Sequence, residues 1–169
     1  VYPIVTQAIG ATARVAKAYP ADHPMAHGHD PAALLAQINE RTRIVFIANP
    51  NNPTGTWLKT AELEAFLAAV PESVIVVIDE AYGEYVNPEA DCPNALRWIE
   101  RFPNLIVTRT FSKAYGLAGL RVGYAVSHPQ VADLLNRVRQ PFNVNSLALV
   151  AAAAALDDVE HLQRSRALN

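Results

Sequence analysis

The sequence predicts an α/β fold with three αβα layers around a mostly parallel sheet, and three observations support it. The segments 43–49, 73–79 and 104–111 are nearly continuous runs of apolar and β-branched residues, which is typical of strands covered on both faces. Helical patterns separate these runs, and a strand–helix–strand order favours parallel pairing. The chain has 169 residues, of which 51% are hydrophobic, so it is long enough for one domain with a substantial core.

Two further strands are predicted, over 11–19 ahead of the apolar runs and over 120–127 after them. The first helix is expected over 30–40, because Asp30 is a favourable N-cap and Pro31 suits the first helical position. This helix would connect the first two predicted strands.

Helical patterns also occur in the rest of the chain. The helix predicted over 59–70 has Thr60 as its expected N-cap and acidic residues in its first turn. A helix over 129–140 is expected to follow the fifth strand. From about residue 145 the chain is rich in alanine and helical, with a break expected at the aspartate pair 157–158 before a last helix.

Composition and charge exclude several classes of protein. The net charge of −2 gives no reason to expect nucleic acid or an anionic membrane as a partner. The longest apolar run, 147–156, is too short to span a bilayer, and the N-terminal residues lack the pattern of a signal peptide. Cys92 is the only cysteine, so an internal disulfide is excluded and a reducing, cytoplasmic location is expected.

Neither a metal site nor a nucleotide site is predicted. His23, His27 and His29 lie near Asp22 and Asp30, but this segment is expected to be an exposed loop that imposes no ligand geometry. The sequence also lacks the glycine-rich patterns of dinucleotide-binding and P-loop proteins.

Ligands of parallel α/β sheets bind at the carboxyl ends of the strands, so the residues after each predicted strand are the candidates. The motif NPNNPTG (49–55) ends the strand at 43–49. Its prolines fix φ, and Gly55 permits a backbone angle that other residues avoid. A rigid loop that presents Asn51 and Asn52 is therefore expected.

The second strand is followed by an acidic residue and a tyrosine. Asp79 comes after five apolar residues, and Tyr82 lies three positions later. A partly buried carboxylate needs a cationic or hydrogen-bonding partner. A helix N-cap is the simpler alternative for Asp79 and stays open at this point.

Ser112 and Lys113 follow the strand at 104–111. A lysine at the edge of a core is costly unless its charge is used or removed, and a desolvated, neutral amine is a nucleophile that can form a Schiff base. Downstream, Arg121 carries a planar guanidinium suited to phosphate oxygens, among glycines that allow close backbone approach.

These groups together suit one kind of ligand, a phosphorylated pyridine aldehyde. Such a cofactor needs an amine for its aldehyde and an acid against its ring nitrogen. It also needs donors at its phenolic oxygen, and a hydroxyl and an arginine at its phosphate. The residues that supply these types are Asn52, Asp79, Tyr82, Ser112, Lys113 and Arg121.

The motifs NPNNPTG (49–55), DEAYGEY (79–85) and TFSKAYGLAGLRVGY (110–124) resemble those of the fold-type I pyridoxal-phosphate-dependent aminotransferases in type, order and spacing. Within that family the chain is most similar to histidinol-phosphate aminotransferases, through GHDPAALLAQI (28–38) and RQPFNVNSLALVAAAAAL (139–156). The resemblance extends over essentially the whole chain.

The resemblance implies a role for each candidate residue. Lys113 corresponds to the catalytic lysine that forms a Schiff base with pyridoxal 5′-phosphate (PLP) and transfers a proton. Asp79 corresponds to the residue that pairs with the ring nitrogen. The phenolic oxygen would be bound by Asn52 and Tyr82, and the phosphate by Ser112 and Arg121 with Thr110 nearby.

The resemblance also implies an organisation. Family members are longer, so residues 1–169 are expected to be a single α/β domain, a central fragment of the PLP-binding large domain without its N-terminal segment and C-terminal small domain. The implied reaction is transamination between histidinol phosphate and 2-oxoglutarate, with L-glutamate as product or donor, in a cytoplasmic homodimer.

Three alternatives stay open. An aromatic amino-acid aminotransferase and a phosphothreonine decarboxylase-like enzyme share similar motifs. A non-catalytic aminotransferase-like sensor domain is the third, although the chain retains each cofactor residue expected within its range.

Overall fold

The computed structural model describes all of residues 1–169. It contains four strands, which are β1 (Ile44–Ala48), β2 (Ile75–Asp79), β3 (Leu105–Thr110) and β4 (Gly123–Ser127). They form one sheet in the order β1-β2-β3-β4. The first three strands are parallel, and β4 runs antiparallel to β3. The predicted α/β fold with a mostly parallel sheet is confirmed.

Six α-helices accompany the sheet, and short 3₁₀ turns occur at 83–85, 95–98 and 118–120. None of the helices is long and apolar enough to cross a membrane. Their bounds are α1 (Tyr2–Ala8), α2 (Pro31–Gln37), α3 (Thr60–Ala69), α4 (Pro129–Val138), α5 (Ser146–Asp157) and α6 (Val159–Leu168).

Two of the expected helix boundaries are confirmed by side-chain caps. The Asp30 carboxylate accepts hydrogen bonds from the first-turn amides of α2, as expected for an N-cap followed by proline. The break between α5 and α6 occurs at Asp158, which caps α6. The cap of α3 was assigned wrongly: Thr60 is already helical, and Lys59 is the N-cap, with its N–H donating to Glu62 at 2.8 Å.

The expected strand over 11–19 is wrong. Residues 11–15 are exposed, and the segment has no regular secondary structure. Its only ladder-like hydrogen bonds join Tyr19 to His27 and Gly28. An alternating pattern of small and polar residues forms a strand only where a sheet edge and a covering layer are available. Instead, residues 2–8 form α1, a helix that the sequence pattern did not indicate.

The main core lies on one face of the sheet and comprises 14 buried hydrophobic residues. Alternate strand residues point into it, because successive side chains of a strand point to opposite faces. Helix α3 covers this face with Leu63, Phe66 and Leu67. Full burial of a side chain of this size stabilises the fold by about 1.5–3 kcal/mol.

The other face of the sheet carries Phe46, Val77 and Asp79, the residues that alternate with the core set. Helix α1 places Tyr2 against it, with the Tyr2 and Phe46 rings stacked at 4.9 Å between centroids.

A smaller cluster, Phe111 and Val122 with two alanines of α5, supports the segment after β3. The carboxyl ends of β1, β2 and β3 therefore rest on packed elements.

Candidate active site

The loop after β1 is held by its own hydrogen bonds. The Asn49 side chain is buried and accepts from the Leu58 amide at 2.7 Å. Asn51 pairs with Thr56 through the backbone at 2.8 Å, and Gly55 adopts a φ of +68°. The expectation of a constrained loop is confirmed.

The next residue of that loop, Asn52, reaches the segment after β2. Its amide Nδ2 donates to Tyr82 Oη at 2.7 Å. Because the phenol oxygen accepts this bond, the phenolic proton stays free to donate to a ligand. The Lys113 Nζ atom lies 5.3 Å from the centroid of the Tyr82 ring, a cation–π distance. Three of the predicted site residues, from three different strand ends, are thus adjacent.

Lys113 differs from expectation in one respect. The residue is exposed, so the desolvation anticipated for a lysine at the core edge is absent. Its neighbours Phe111 and Ala114 are buried at 4% and 1% exposure. The backbone at Lys113 is therefore anchored on both sides while its amine faces open space.

Asp79 is the last residue of β2 and lies on the sheet face opposite the main core. Its Oδ2 accepts from Tyr2 Oη at 2.7 Å, and its Oδ1 from the Ala81 amide at 3.2 Å. The hydrogen-bonding partner expected for this carboxylate is thus present. The alternative of a helix N-cap is not supported, since the following residues form only a 3₁₀ turn at 83–85.

The predicted phosphate-binding residues also lie together. Thr110 Oγ1 accepts from the Ser112 amide at 3.0 Å, and Arg121 Nη1 lies 3.4 Å from Ser112 Oγ. Arg121 adopts a left-handed backbone with φ of +53° and also donates to the Ala118 carbonyl at 2.9 Å. Its Nε and Nη2 make no hydrogen bond within the chain, so they are available to an anion.

Gly123 allows the close approach that the glycine-rich segment predicted. A Cβ at this position would lie 2.6 Å from the Arg109 carbonyl oxygen, far inside van der Waals contact. Gly123 pairs with Thr110 across β3 and β4. The glycine therefore permits β4 to lie against the strand that carries the Ser112–Lys113 segment.

A buried ion pair supports the site from the core side. Glu80 is 2% exposed, and its Oε2 accepts from Arg109 Nε at 3.0 Å and Nη2 at 2.6 Å. The other oxygen, Oε1, accepts from the Ala95 amide at 2.7 Å. Because Glu80 follows Asp79 directly, the two carboxylates point to opposite faces of the sheet. The pair fixes the chain on the core side of Asp79.

Two other titratable groups lie close to this pair. Burial raises the pKa of Glu84, whose carboxylate oxygens have no hydrogen-bond partner. Burial, together with the charges of Glu80 and Asp91, raises the pKa of Cys92 to about 12. Cys92 is therefore a thiol at neutral pH, the weakly nucleophilic form.

The histidine-rich segment makes separate, local contacts. The His23 ring stacks on Tyr19 at 3.8 Å, and His29 Nε2 is hydrogen-bonded to the Ala48 carbonyl at 3.0 Å. Burial lowers the pKa of His29. No group of three or more His, Cys, Asp or Glu side chains is arranged to hold a metal ion.

Sequence patterns missed two residues that shape the site, Tyr2 and Arg109. Tyr2 is 77 positions from Asp79, and no local motif links them. The sequence around Arg109 does contain a signal. This arginine follows the apolar start of β3, between Thr108 and Thr110, and a charge within a strand of the sheet needs a partner where it is buried.

Comparison with known proteins places the chain among aminotransferases. It is 63% identical over 168 residues to histidinol-phosphate aminotransferase 1 of Nitrosococcus oceani, covering 99% of this chain and 44% of that relative. It is 63% identical over 169 residues to histidinol-phosphate aminotransferase 2 of a Pseudomonas fluorescens strain, again covering 44% of that relative. The chain thus spans less than half the length of these curated relatives.

A solved structure and a family model agree with the sequence relatives. The crystal structure of histidinol-phosphate aminotransferase from Sinorhizobium meliloti in complex with pyridoxal-5′-phosphate superposes with a TM-score of 0.76 at 38% identity, covering 82% of this chain and 38% of that one. Residues 1–168 match the model for aminotransferase class I and II, and the chain therefore belongs to that family.

Proposed function

We propose that this chain carries the PLP-binding part of a histidinol-phosphate aminotransferase. The observation that carries the proposal is the convergence of an amine, a carboxylate, an amide–phenol pair and a hydroxyl–guanidinium pair at the carboxyl ends of β1, β2 and β3. Relatives that bear this name, at 63% identity, support the same assignment.

The donor set fits PLP group by group. Asp79 offers carboxylate lone pairs beyond the two that it already uses. Tyr82 and Asn52 offer a phenolic proton and an amide to an oxygen. Arg121 offers free guanidinium donors next to the Ser112 hydroxyl, a combination suited to a phosphate. Lys113 supplies the primary amine that an aldehyde requires.

Each residue then has a defined task. When bound, PLP supplies an electron sink for the bonds of the substrate α-carbon. Asp79 holds a proton on the ring nitrogen, since a carboxylate stabilises the cationic form of a neighbouring base. Ser112 and Arg121 bind the phosphate. The Lys113 amine would take the proton from the substrate α-carbon and deliver it to the cofactor carbon that carries the aldehyde, C4′.

Lys113 is well placed for proton transfer because its surroundings orient its side-chain amine. Its amine lies above the Tyr82 ring, and its backbone is anchored by buried neighbours. An exposed amine also leaves room for a substrate to approach. Orientation of this kind lowers the entropic cost of the reaction.

The substrates we propose are small molecules, histidinol phosphate with 2-oxoglutarate, and L-glutamate as the amino donor in the reverse direction. The proposed assembly is a homodimer, and the proposed location is the cytoplasm, where a lone cysteine stays reduced. The proposed domain organisation remains that of a central piece of the large domain, in line with a match to 44% of each relative.

A labelling experiment tests the proposal. The chain is incubated with PLP, reduced with borohydride and mapped by mass spectrometry, with Lys113→Ala and the exposed Lys59→Ala as matched variants. We expect label on Lys113 in the wild type and in Lys59→Ala, and none at this peptide in Lys113→Ala. Label spread evenly over Lys17, Lys59 and the N-terminal amine, or its absence, would overturn the proposed cofactor site.

Substrate choice is tested separately, in the full-length protein, because the proposed central piece of the large domain is not expected to be active alone. We expect histidinol phosphate with 2-oxoglutarate to yield L-glutamate, measured by a coupled glutamate assay. Release of carbon dioxide from phosphothreonine, or faster glutamate formation with an aromatic amino acid, would favour one of the two alternative enzymes.

A further inference from the structure

The contact between Tyr2 and Asp79 joins the first turn of α1 to the end of β2, across 77 positions of sequence. We infer that Tyr2 is a positioning residue that orients the Asp79 carboxylate toward the cofactor ring nitrogen. The inference rests on the proposed function and assigns a task to a residue outside the recognised motifs.

The geometry gives Asp79 one fixed orientation. Tyr2 Oη donates to Oδ2 at 2.7 Å, and the Ala81 amide donates to Oδ1 at 3.2 Å. A carboxylate has about four lone-pair positions, so two donors fix the plane of the group and leave acceptor capacity for a third. Without Tyr2, Oδ2 has no protein partner, and the single hydrogen bond to Oδ1 no longer fixes the plane of the group.

Tyr2 is itself held in place by the sheet. Its ring stacks on Phe46 with 4.9 Å between centroids and 9° between planes. Phe46 lies on β1 beside Val77 of β2, two residues before Asp79, so both rings lie on the sheet face that carries Asp79. Stacking of this kind fixes the ring, and so the position of the phenolic oxygen beside Asp79.

The surroundings of Tyr2 keep its hydroxyl protonated, as a hydrogen-bond donor to Asp79 must be. Burial, and then the hydrogen bond and negative charge of Asp79, raise the pKa of Tyr2 well above its usual range. The phenol therefore keeps its proton at neutral pH. A neutral donor stabilises the ionised carboxylate, and the ionised carboxylate is the form that keeps the ring nitrogen protonated.

Tyr2→Phe removes the hydroxyl and retains the stacked ring, and Tyr19→Phe is the matched control, because Tyr19 is a partly buried tyrosine that makes no contact with Asp79. The PLP dissociation constant is measured by fluorescence titration of each variant. It is measured again with a deaza analogue, in which carbon replaces the ring nitrogen. The pH midpoint of the bound cofactor's absorbance change provides a second readout.

For Tyr2→Phe we expect the PLP dissociation constant to rise roughly tenfold, while that of the deaza analogue changes by less than about twofold, since only PLP uses the nitrogen. The pH midpoint should move upward, because a less firmly protonated ring makes the remaining cofactor protons less acidic. Phe46→Leu, which keeps the phenol but loosens it, should shift both readouts in the same direction by less.

The outcomes of these measurements distinguish the positioning role of Tyr2 from the proposed function. If the wild type labels at Lys113 but Tyr2→Phe binds and titrates like the wild type, the positioning role is wrong and the proposed function stands. Equal weakening of PLP and its deaza analogue would also overturn it, because that pattern indicates a general loss of structure. If the wild type binds no PLP, the proposed function fails and the inference fails with it.

Discussion

Arg109 donates two hydrogen bonds to one oxygen of Glu80, from Nε at 3.0 Å and from Nη2 at 2.6 Å. The Glu80 side chain is 2% exposed and that of Arg109 is 17% exposed. This buried pair joins β3 to the segment directly after β2. It therefore fixes, from the core side, the two strand ends that carry Asp79 and Lys113.

Arg109→Met is expected to lower the free energy of unfolding by about 3–5 kcal/mol, because it leaves the Glu80 carboxylate buried without its cation. Urea denaturation followed by circular dichroism measures the change. The control Arg137→Ala breaks an exposed pair within α4 and should cost no more than about 0.5 kcal/mol. Equal losses of unfolding free energy in the two variants would contradict the conclusion that the buried Arg109–Glu80 pair matters more than an exposed pair.

The double variant Glu80→Met, Arg109→Met sharpens this test. Replacement of Glu80 together with Arg109 by apolar residues avoids the unpaired Glu80 charge, so the double variant should be more stable than Arg109→Met alone. Glu84, whose Oε1 lies 3.7 Å from Arg109 Nη1, loses its cation equally in both variants. A double variant that is less stable than Arg109→Met would show that Glu80 stabilises the fold through contacts other than its ion pair.

Gly123→Ala is expected to destabilise the chain by about 1–3 kcal/mol, because strands β3 and β4 would have to separate to admit the methyl group. The new Cβ would lie 2.6 Å from the Arg109 carbonyl oxygen. Gly119→Ala is the matched control, since a Cβ there meets no atom within 4 Å, and it should change stability by less than about 0.5 kcal/mol. Thermal unfolding of the two variants distinguishes them, and similar melting temperatures would contradict the close approach.

The parts of the fold that were predicted correctly are those with strong local signals. The runs at 43–49, 73–79 and 104–111 contain strands β1, β2 and β3 because their β-branched residues favour extended backbone, although β1 is only partly buried, with Ile44 47% exposed. The segment 11–19 failed because alternation of small residues becomes a strand only beside a free sheet edge, and residues 11–15 remain exposed.

The candidate site, like the fold, contains some residues that the sequence predicts and others that it does not. Asn52, Tyr82 and Ser112 were found because each lies within a short motif at a strand end, where local spacing carries the information. Tyr2 and Arg109 were missed because their roles depend on partners that only the folded chain brings near. The exposure of Lys113 likewise depends on how the loop after β3 packs, which motif spacing does not encode.

Glu84 is expected to make stability depend on pH. Burial raises its pKa in the folded chain, so between the unfolded and folded values the unfolded chain binds fewer protons. The free energy of unfolding therefore falls as pH rises through this window. Glu84→Gln does not titrate, so it should exceed the wild type in stability at pH 7, by on the order of 1 kcal/mol, and lose that advantage toward pH 4.

Urea titrations at several pH values between 4 and 8 measure this difference. Glu160→Gln, at an exposed position of α6 with 81% side-chain exposure, is the matched control and should show no such trend. A Glu84→Gln variant whose advantage grows as the pH falls would contradict the direction of the shift.

Arg121→Ala is expected to weaken binding of PLP roughly 10- to 100-fold, because a guanidinium bound to a phosphate contributes a charge-assisted hydrogen bond. Only its Nη1 is used within the chain, on Ser112 and the Ala118 carbonyl, so Nε and Nη2 are free for the ligand. Binding of pyridoxal, which lacks the phosphate, should change far less. Fluorescence titration with both compounds gives the ratio of the two effects.

The comparison between PLP and pyridoxal decides what Arg121 does. Arg14→Ala, which removes an exposed arginine bonded to Gln37, is the matched control and should leave both affinities unchanged. If Arg121→Ala weakens pyridoxal as much as PLP, the arginine acts by holding the loop through Ala118, not by binding the phosphate. A selective loss for PLP would assign the phosphate to the Ser112–Arg121 pair, since pyridoxal differs from PLP only in lacking that group.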